Sequence, residues 1–277
     1  QAAASREAER LGLQGMQVSV DGSSVQSLTM DLPTKMDRAV EAAHRLVDDE
    51  RFRAEDRLAL VHFDDDASVL LPLTSLAGRK RAHDAIEGLR QYSGGTQMGK
   101  GLRVACEALG DVPPQCVKRL FLLTDGRAFD EQDCHAAAQQ LAVGNTPVTA
   151  LGLGTEYNEA LMRDLAGVTR GRPYHLQDVE QLAAYLDEEV GSAVKEVVTD
   201  LRASVALAKG VSLDGITRVY PSMAEVGTQG SPYLLGNIAA GDYTVFVLEL
   251  TLSGIARPCS RARVAQVGLA GQVPALG

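Results

Sequence analysis

The chain has 277 residues, 45% of them hydrophobic and 23% charged, with a formal net charge of −9. That balance is ordinary for a soluble globular protein, and the length allows one or two domains. The acidic charge argues against a general nucleic-acid binder, whose phosphate contacts want clustered Lys and Arg, and no apolar run approaches the roughly 20 residues of a membrane span. The four cysteines, Cys106, Cys116, Cys134 and Cys259, contain no Cys-x-x-Cys pair. They read as reduced structural thiols, which makes the cytoplasm the expected compartment. The chain opens Gln1-Ala2-Ala3-Ala4-Ser5 without an initiator Met or an apolar signal core, so it reads as a fragment or a processed chain.

In chain order, a short helix is expected over residues 2–13 and a buried strand over 16–21. Residues 35–49 predict an amphipathic helix, with Met36, Val40, Ala43 and Val47 at helical spacing. A strand follows at 57–63, then a second, antiparallel edge at 67–73. Helices are expected at 80–89 and 98–109. Residues 117–123 are a near-continuous apolar strand, as in a sheet covered on both faces. A helix at 130–142, a strand at 147–151 and helices at 158–166 and 178–189 continue the alternation. Strands alternating with helices predict a doubly wound α/β domain with a mostly parallel sheet. After about Gly191 the pattern changes. Strands are expected at 199–207, 216–220, 233–235, 243–252 and 261–267 with only turn signals between them. That predicts a small antiparallel β-sandwich module, incomplete at five strands. The division is therefore 14–191 and 192–277.

Three separated segments carry the candidate chemistry. Val18-Ser19-Val20-Asp21-Gly22-Ser23 and Phe121-Leu122-Leu123-Thr124-Asp125-Gly126 are apolar strands that stop at a carboxylate, and Gly94-Gly95-Thr96 opens a helix. In open α/β sheets ligands bind beyond the carboxyl ends of the strands. Asp21, Ser23, Thr96 and Asp125 would converge there as hard oxygen donors suited to a divalent cation such as Mg²⁺. Thr96 is also placed to cap the helix beginning near Met98. Asp64-Asp65-Asp66 reads as a solvated loop, because consecutive side chains diverge. Gly152-Leu153-Gly154 lacks the third glycine of a dinucleotide fingerprint.

These residues, from about Met16 to Glu189, resemble a von Willebrand factor type A domain. The most specific parts are the strand 56–63, the Gly94-Gly95-Thr96 loop, Leu122-Leu123-Thr124-Asp125-Gly126, and Leu151-Gly152-Leu153-Gly154 with Asn158-Glu159. The tail resembles the β-sandwich that follows the A domain in many bacterial members, most closely at 235–242. The resemblance implies a Rossmann-like fold with a metal-ion-dependent adhesion site. Its Asp-x-Ser-x-Ser motif falls on Asp21, Ser23 and Val25, its Thr on Thr96 and its last Asp on Asp125. Val25 cannot ligate, so the implied Mg²⁺ site is degenerate, with four of five ligands. The implied function is protein–protein interaction through these loops, a partner's acidic side chain completing the metal shell, without catalysis. Two other classes are consistent with the sequence: an assembly or chaperone component acting with an AAA+ ATPase, and a small-molecule enzyme on a Rossmann-like sheet. The latter would need a base or nucleophile near Asp21 or Asp125, and no convincing set is seen.

Overall fold

The computed structural model describes residues 13–20, 23–30, 34–110, 112–113, 116–178, 180–220, 223–227, 230–253 and 261–274, with backbone course alone for 13–30. The helix expected over 2–13 lies outside them, save Leu13, which begins a strand.

Helix α1 (Lys35–Val47) starts where the sequence demands it. The Thr34 hydroxyl accepts from Asp37 N at 3.1 Å while the Asp37 carboxylate accepts from Thr34 N at 2.8 Å. This reciprocal cap satisfies two otherwise orphaned donors. Of the spaced apolar residues, Val40 and Val47 are buried, and Met36 and Ala43 pack against the same cluster. Strands β3 (Arg57–Phe63) and β4 (Ala67–Ser75) form the expected antiparallel pair. Helices α2 (Arg79–Gly88) and α3 (Met98–Leu109) follow.

Strands β5 (Leu120–Thr124), β6 (Val148–Leu153) and β7 (Pro173–Leu176) make a parallel sheet in the order β5-β6-β7, interleaved with α4 (Glu131–Val143), α5 (Glu159–Val168) and α6 (Glu180–Val194). Every residue of β6 is buried. Val148 and Ala150 enter one core with α3, α4 and α5, and Leu151 and Leu153 enter a second core with α1 and α6. Covering both faces of a parallel sheet is what its continuous apolar strands require. This is the doubly wound α/β arrangement. The four-residue β7 was not anticipated, since it is too short to show alternation.

One expectation is corrected. The segment read as a buried strand of the central sheet is β1 (Leu13–Val20), and its ladder partner is β2 (Ser23–Met30), antiparallel, with Val20 opposite Ser23. The intervening Asp21-Gly22 is a pair that two-residue hairpins favour, and pairing across so short a connection costs little loop entropy. Among the described residues, no ladder joins β3 to β5. The two sheets are tied instead by helices: α1 packs against both β4 and β6, and an added Cβ on Gly101 of α3 would stand 2.8 Å from the Phe63 ring.

Beyond α6, six strands form two antiparallel three-stranded sheets. The first is β10-β9-β12, from Ala224–Val226, Val211–Tyr220 and Val245–Leu252. The second is β11-β8-β13, from Tyr233–Ala239, Glu196–Leu207 and Ala265–Gln272. Along β12, Phe246, Leu248 and Leu250 face inward while Val245, Val247 and Glu249 are exposed, the alternation a strand imposes. No helix among the described residues is long and apolar enough to cross a membrane.

Leu165, 0% exposed, lies in the larger core. Leu165→Ala is expected to lower unfolding free energy by about 2–5 kcal/mol. Val143→Ala, at an 81% exposed site, should stay within about 0.5 kcal/mol of wild type. Denaturant titration of both variants checks the pair.

Candidate functional site at the carboxyl edge of the sheet

Strand β5 delivers Asp125 to its carboxyl end, where the carboxylate is more than half exposed. The turn is held locally, Thr124 Oγ1 accepting from Gly126 N at 3.3 Å. Thr96 comes to the same turn from the loop before α3. A Cβ added to Gly126 would stand 2.6 Å from Thr96 Oγ1, and Thr96 O accepts from Phe129 N at 3.1 Å. The structure thus brings Thr96 beside the Asp125-Gly126 turn. Ser23 opens β2 and Val25 pairs with Val18, but their side chains are not described. Asp21 lies outside the described residues.

Thr96 is not the helix cap expected of it. Gln97 occupies that position and makes no side-chain cap bond. The cap comes across space: Asp130, from the loop after β5, accepts from Lys100 N at 2.9 Å. A carboxylate at a helix N-terminus is favoured by the orphaned N–H groups and the macrodipole. No local signal marks Asp130 for this role, because its partner is 30 residues away.

The triple-aspartate loop is also more than a solvated turn. Asp65 Oδ1 accepts from Gly95 N at 3.1 Å, and Asp64 O accepts from Gln97 N at 2.7 Å. These bonds clamp the Gly-Gly-Thr loop from below. A Cβ on Gly95 would meet Asp65 Oδ1 at 2.4 Å and Phe129 Cε2 at 3.1 Å, so any larger residue there would push the Asp65 carboxylate off its bond to the loop.

Two further residues went unread in the sequence. Lys35, the first residue of α1, extends its ammonium to 3.2 Å from Asp125 Oδ2. Phe129 stands 71% exposed beside Gly95. An apolar residue in a polar loop between strand and helix was the available signal for Phe129. For Lys35 there was none, since the contact spans 90 positions.

A metal can be weighed against these donors. Among the described residues, no three His, Cys, Asp or Glu side chains converge. Thr96 and Asp125 are hard oxygen donors and fit Mg²⁺, but the Lys35 ammonium already supplies a positive charge to Asp125.

His62, near the end of β3, is 9% exposed and stacks on Tyr92 at 3.8 Å between centroids. Burial pushes its pKa below 6.5, and Asp64 opposes this in part. The folded state therefore prefers neutral His62, while the unfolded chain takes up the proton first as pH falls. This contribution is present above about pH 6.5 and lost below it. His62→Phe, which keeps the ring stack, is expected to flatten the decline in melting temperature between pH 7.5 and 5.5. An unchanged decline would assign it to other groups.

Comparison with known proteins agrees with the geometry. Residues 20–188 match the von Willebrand factor type A domain. The chain is 24% identical over 213 residues to the uncharacterized protein YfbK of Escherichia coli (strain K12), covering 74% of this chain and 37% of that one. It is 26% identical over 139 residues to the uncharacterized protein sll0103 of Synechocystis sp., covering 50% and 32%. The chain thus spans about a third of the length of these curated relatives. The solved von Willebrand factor type A structure from Catenulispora acidiphila superposes with a TM-score of 0.72 at 21% identity, over 86% of this chain and 58% of that one. Such coverage cannot be reached without the strands beyond α6. With well over half its length matched by the family and its parallel sheet covered on both faces, the chain belongs to the von Willebrand factor type A domain family.

Proposed function

We propose that the loops after β5 and before α3 bind a partner protein, with Phe129 as apolar anchor and Asp125 and Thr96 as its polar neighbours. Domains of this family are in general protein-interaction modules. The observation that carries the reading here is Phe129, a large aromatic 71% exposed beside an exposed carboxylate. Exposed aromatics next to polar groups are favoured binding anchors, and truncating such an anchor commonly costs about 2 kcal/mol or more of affinity. The partner surface is one that offers a carboxylate. Asp125, Thr96, Ser23 and Asp21 are the residues that would hold a Mg²⁺ ion, which would supply the positive charge that draws in that carboxylate. We take residues 14–191 as the unit that carries this site and 192–277 as a separate module.

A pull-down from a bacterial lysate tests the surface. Wild type is expected to retain a set of proteins that Phe129→Ser loses and that EDTA diminishes. Equal capture by wild type, Phe129→Ser and Asp125→Asn would remove this face from the binding reading.

Lys35 makes the metal question quantitative. An ammonium 3.2 Å from Asp125 competes with any added cation for the same carboxylate. Lys35→Met is therefore expected to bind Mn²⁺ more tightly than wild type in calorimetry, and Lys35→Met with Val25→Ser more tightly again. If neither variant gains affinity, or if Asp125→Asn binds as well as wild type, the metal reading fails.

A further inference from the structure

At the opposite end of the parallel sheet, where β5, β6 and β7 begin, a cavity of about 80 Å³ separates the sheet from the β-module strands. Four guanidiniums line it: Arg119 before β5, Arg170 and Arg172 between α5 and β7, and Arg218 on β9. Three carboxylates also line it. Glu196 is engaged by Arg119 and by Asn237 Nδ2 at 2.7 Å. Glu189 accepts from Thr149 Oγ1 at 2.9 Å and Tyr174 OH at 2.8 Å, with Arg172 at 3.6 Å. Asp242 is exposed. Two of the four guanidiniums are thus engaged with carboxylates, Arg119 with Glu196, and Arg172 with Glu189 and, at 3.1 Å, with Glu188.

Arg170 is the odd member. Its backbone has φ +63, in the left-handed region. Gly171 N donates to Ala166 O at 2.8 Å and Arg170 N to Gly167 O at 3.1 Å, so Arg170 holds the position that usually goes to glycine when a helix ends this way. A long side chain kept at a strained position signals a role for that side chain. One Arg170 nitrogen donates to Ala142 O at 2.7 Å, but its buried Nε has no hydrogen-bond partner. Gly236, at φ +105, leaves the room: a Cβ there would come within 3.3 Å of Arg170 Cδ. Burial, and then the like charge of Arg218, push Arg170 down to about 10. Arg218 is itself 6% exposed and donates to Arg170 O at 3.3 Å. Two guanidiniums lining one largely desolvated cavity favour an anion between the elements that carry them.

We propose that this cavity binds a small tetrahedral oxyanion, with Arg170 and Arg218 approaching it from the α/β unit and the β module respectively. Guanidiniums converging from separate elements suit an acceptor with oxygens in several directions, whereas a planar carboxylate is satisfied by a single fork. The small volume selects a free ion over a phosphate carried by a larger molecule. A bound ion would fasten the two units together, because its donors come from both.

Thermal melts in inorganic phosphate against chloride at equal ionic strength test this. The wild-type midpoint is expected to rise with phosphate and to saturate, as binding to the folded state alone requires. Sulfate should act alike, and acetate and glycerol phosphate should act less. Arg170→Met should bind phosphate about tenfold more weakly, the loss expected for one charge-assisted donor. The exposed Arg163→Met should be unchanged. Should Arg170→Met not fold, Arg218→Gln is read in the same way. Absence of a phosphate-specific rise in wild type overturns the proposal. So does a variant that melts lower with its phosphate response intact, which would leave Arg170 as a cap on the end of α4. A larger rise with glycerol phosphate would overturn the free-ion reading.

Discussion

The straddling of two sheets by α1 and α3 is the packing on which the rest depends. No ladder joins β3 to β5 among the described residues, so backbone pairing does not hold the β3–β4 ribbon in place. Apolar burial does. Val40 and Val47 of α1 sit with Leu71 and Ile86, while Ala42 of the same helix sits with Leu151 and Leu176. On the other side, α3 puts Met98 and Leu102 into the core of β5 and β6, with Phe63 of β3 packed against it. Each helix thus spends one face on two sheets. Burying a Leu- or Val-sized side chain contributes about 1.5–3 kcal/mol, and a joint made of several such residues resists shear in a way that surface ion pairs do not.

The carboxyl edge inherits its shape from that joint. Loop 93–97 lies between the end of β3 and the turn after β5, and it is fastened to both: by Asp64 and Asp65 on one side, and by Phe129 N on the other. Asp130 caps α3 from the β5 side. Moving β3 relative to β5 would therefore pull Thr96 away from Asp125. This gives physical content to the grouping of Thr96, Asp125 and Phe129 on one face, since each is held by bonds to a neighbouring loop. Lys35 adds a polar element from α1, so all the elements of the joint meet at this edge.

The far edge is built differently. Where the sheet meets the β-module strands, contact is polar: Arg119 with Glu196, Asn145 with Asn237 at 2.7 Å, and Arg218 with the backbone of Arg170. Buried polar groups specify geometry more than they stabilise, because desolvation offsets much of their attraction. An apolar joint above and a polar joint below let the two ends of one sheet carry different chemistry.

The sequence alone determined the α/β class, the order of the central helices and of strands β3 to β6, and Asp125 at a strand end, while β5 begins at Leu120 rather than at residue 117 and the last helix runs on to Val194. These depend on local periodicity and on apolar runs that stop at a carboxylate, both readable within a few residues. The antiparallel character of the tail was equally legible, since no crossover helix follows Val194. Tertiary structure decided the remainder. The cap on α3 came from Asp130, the counter-ion of Asp125 from Lys35, and the clamp on Gly95 from Asp65. Each joins residues 30 or more positions apart, and a one-dimensional pattern carries no record of such distances. The left-handed arginine at 170 is the sharpest case. Its conformation is set by the end of α5, but what its guanidinium faces is set by strands from the other end of the chain.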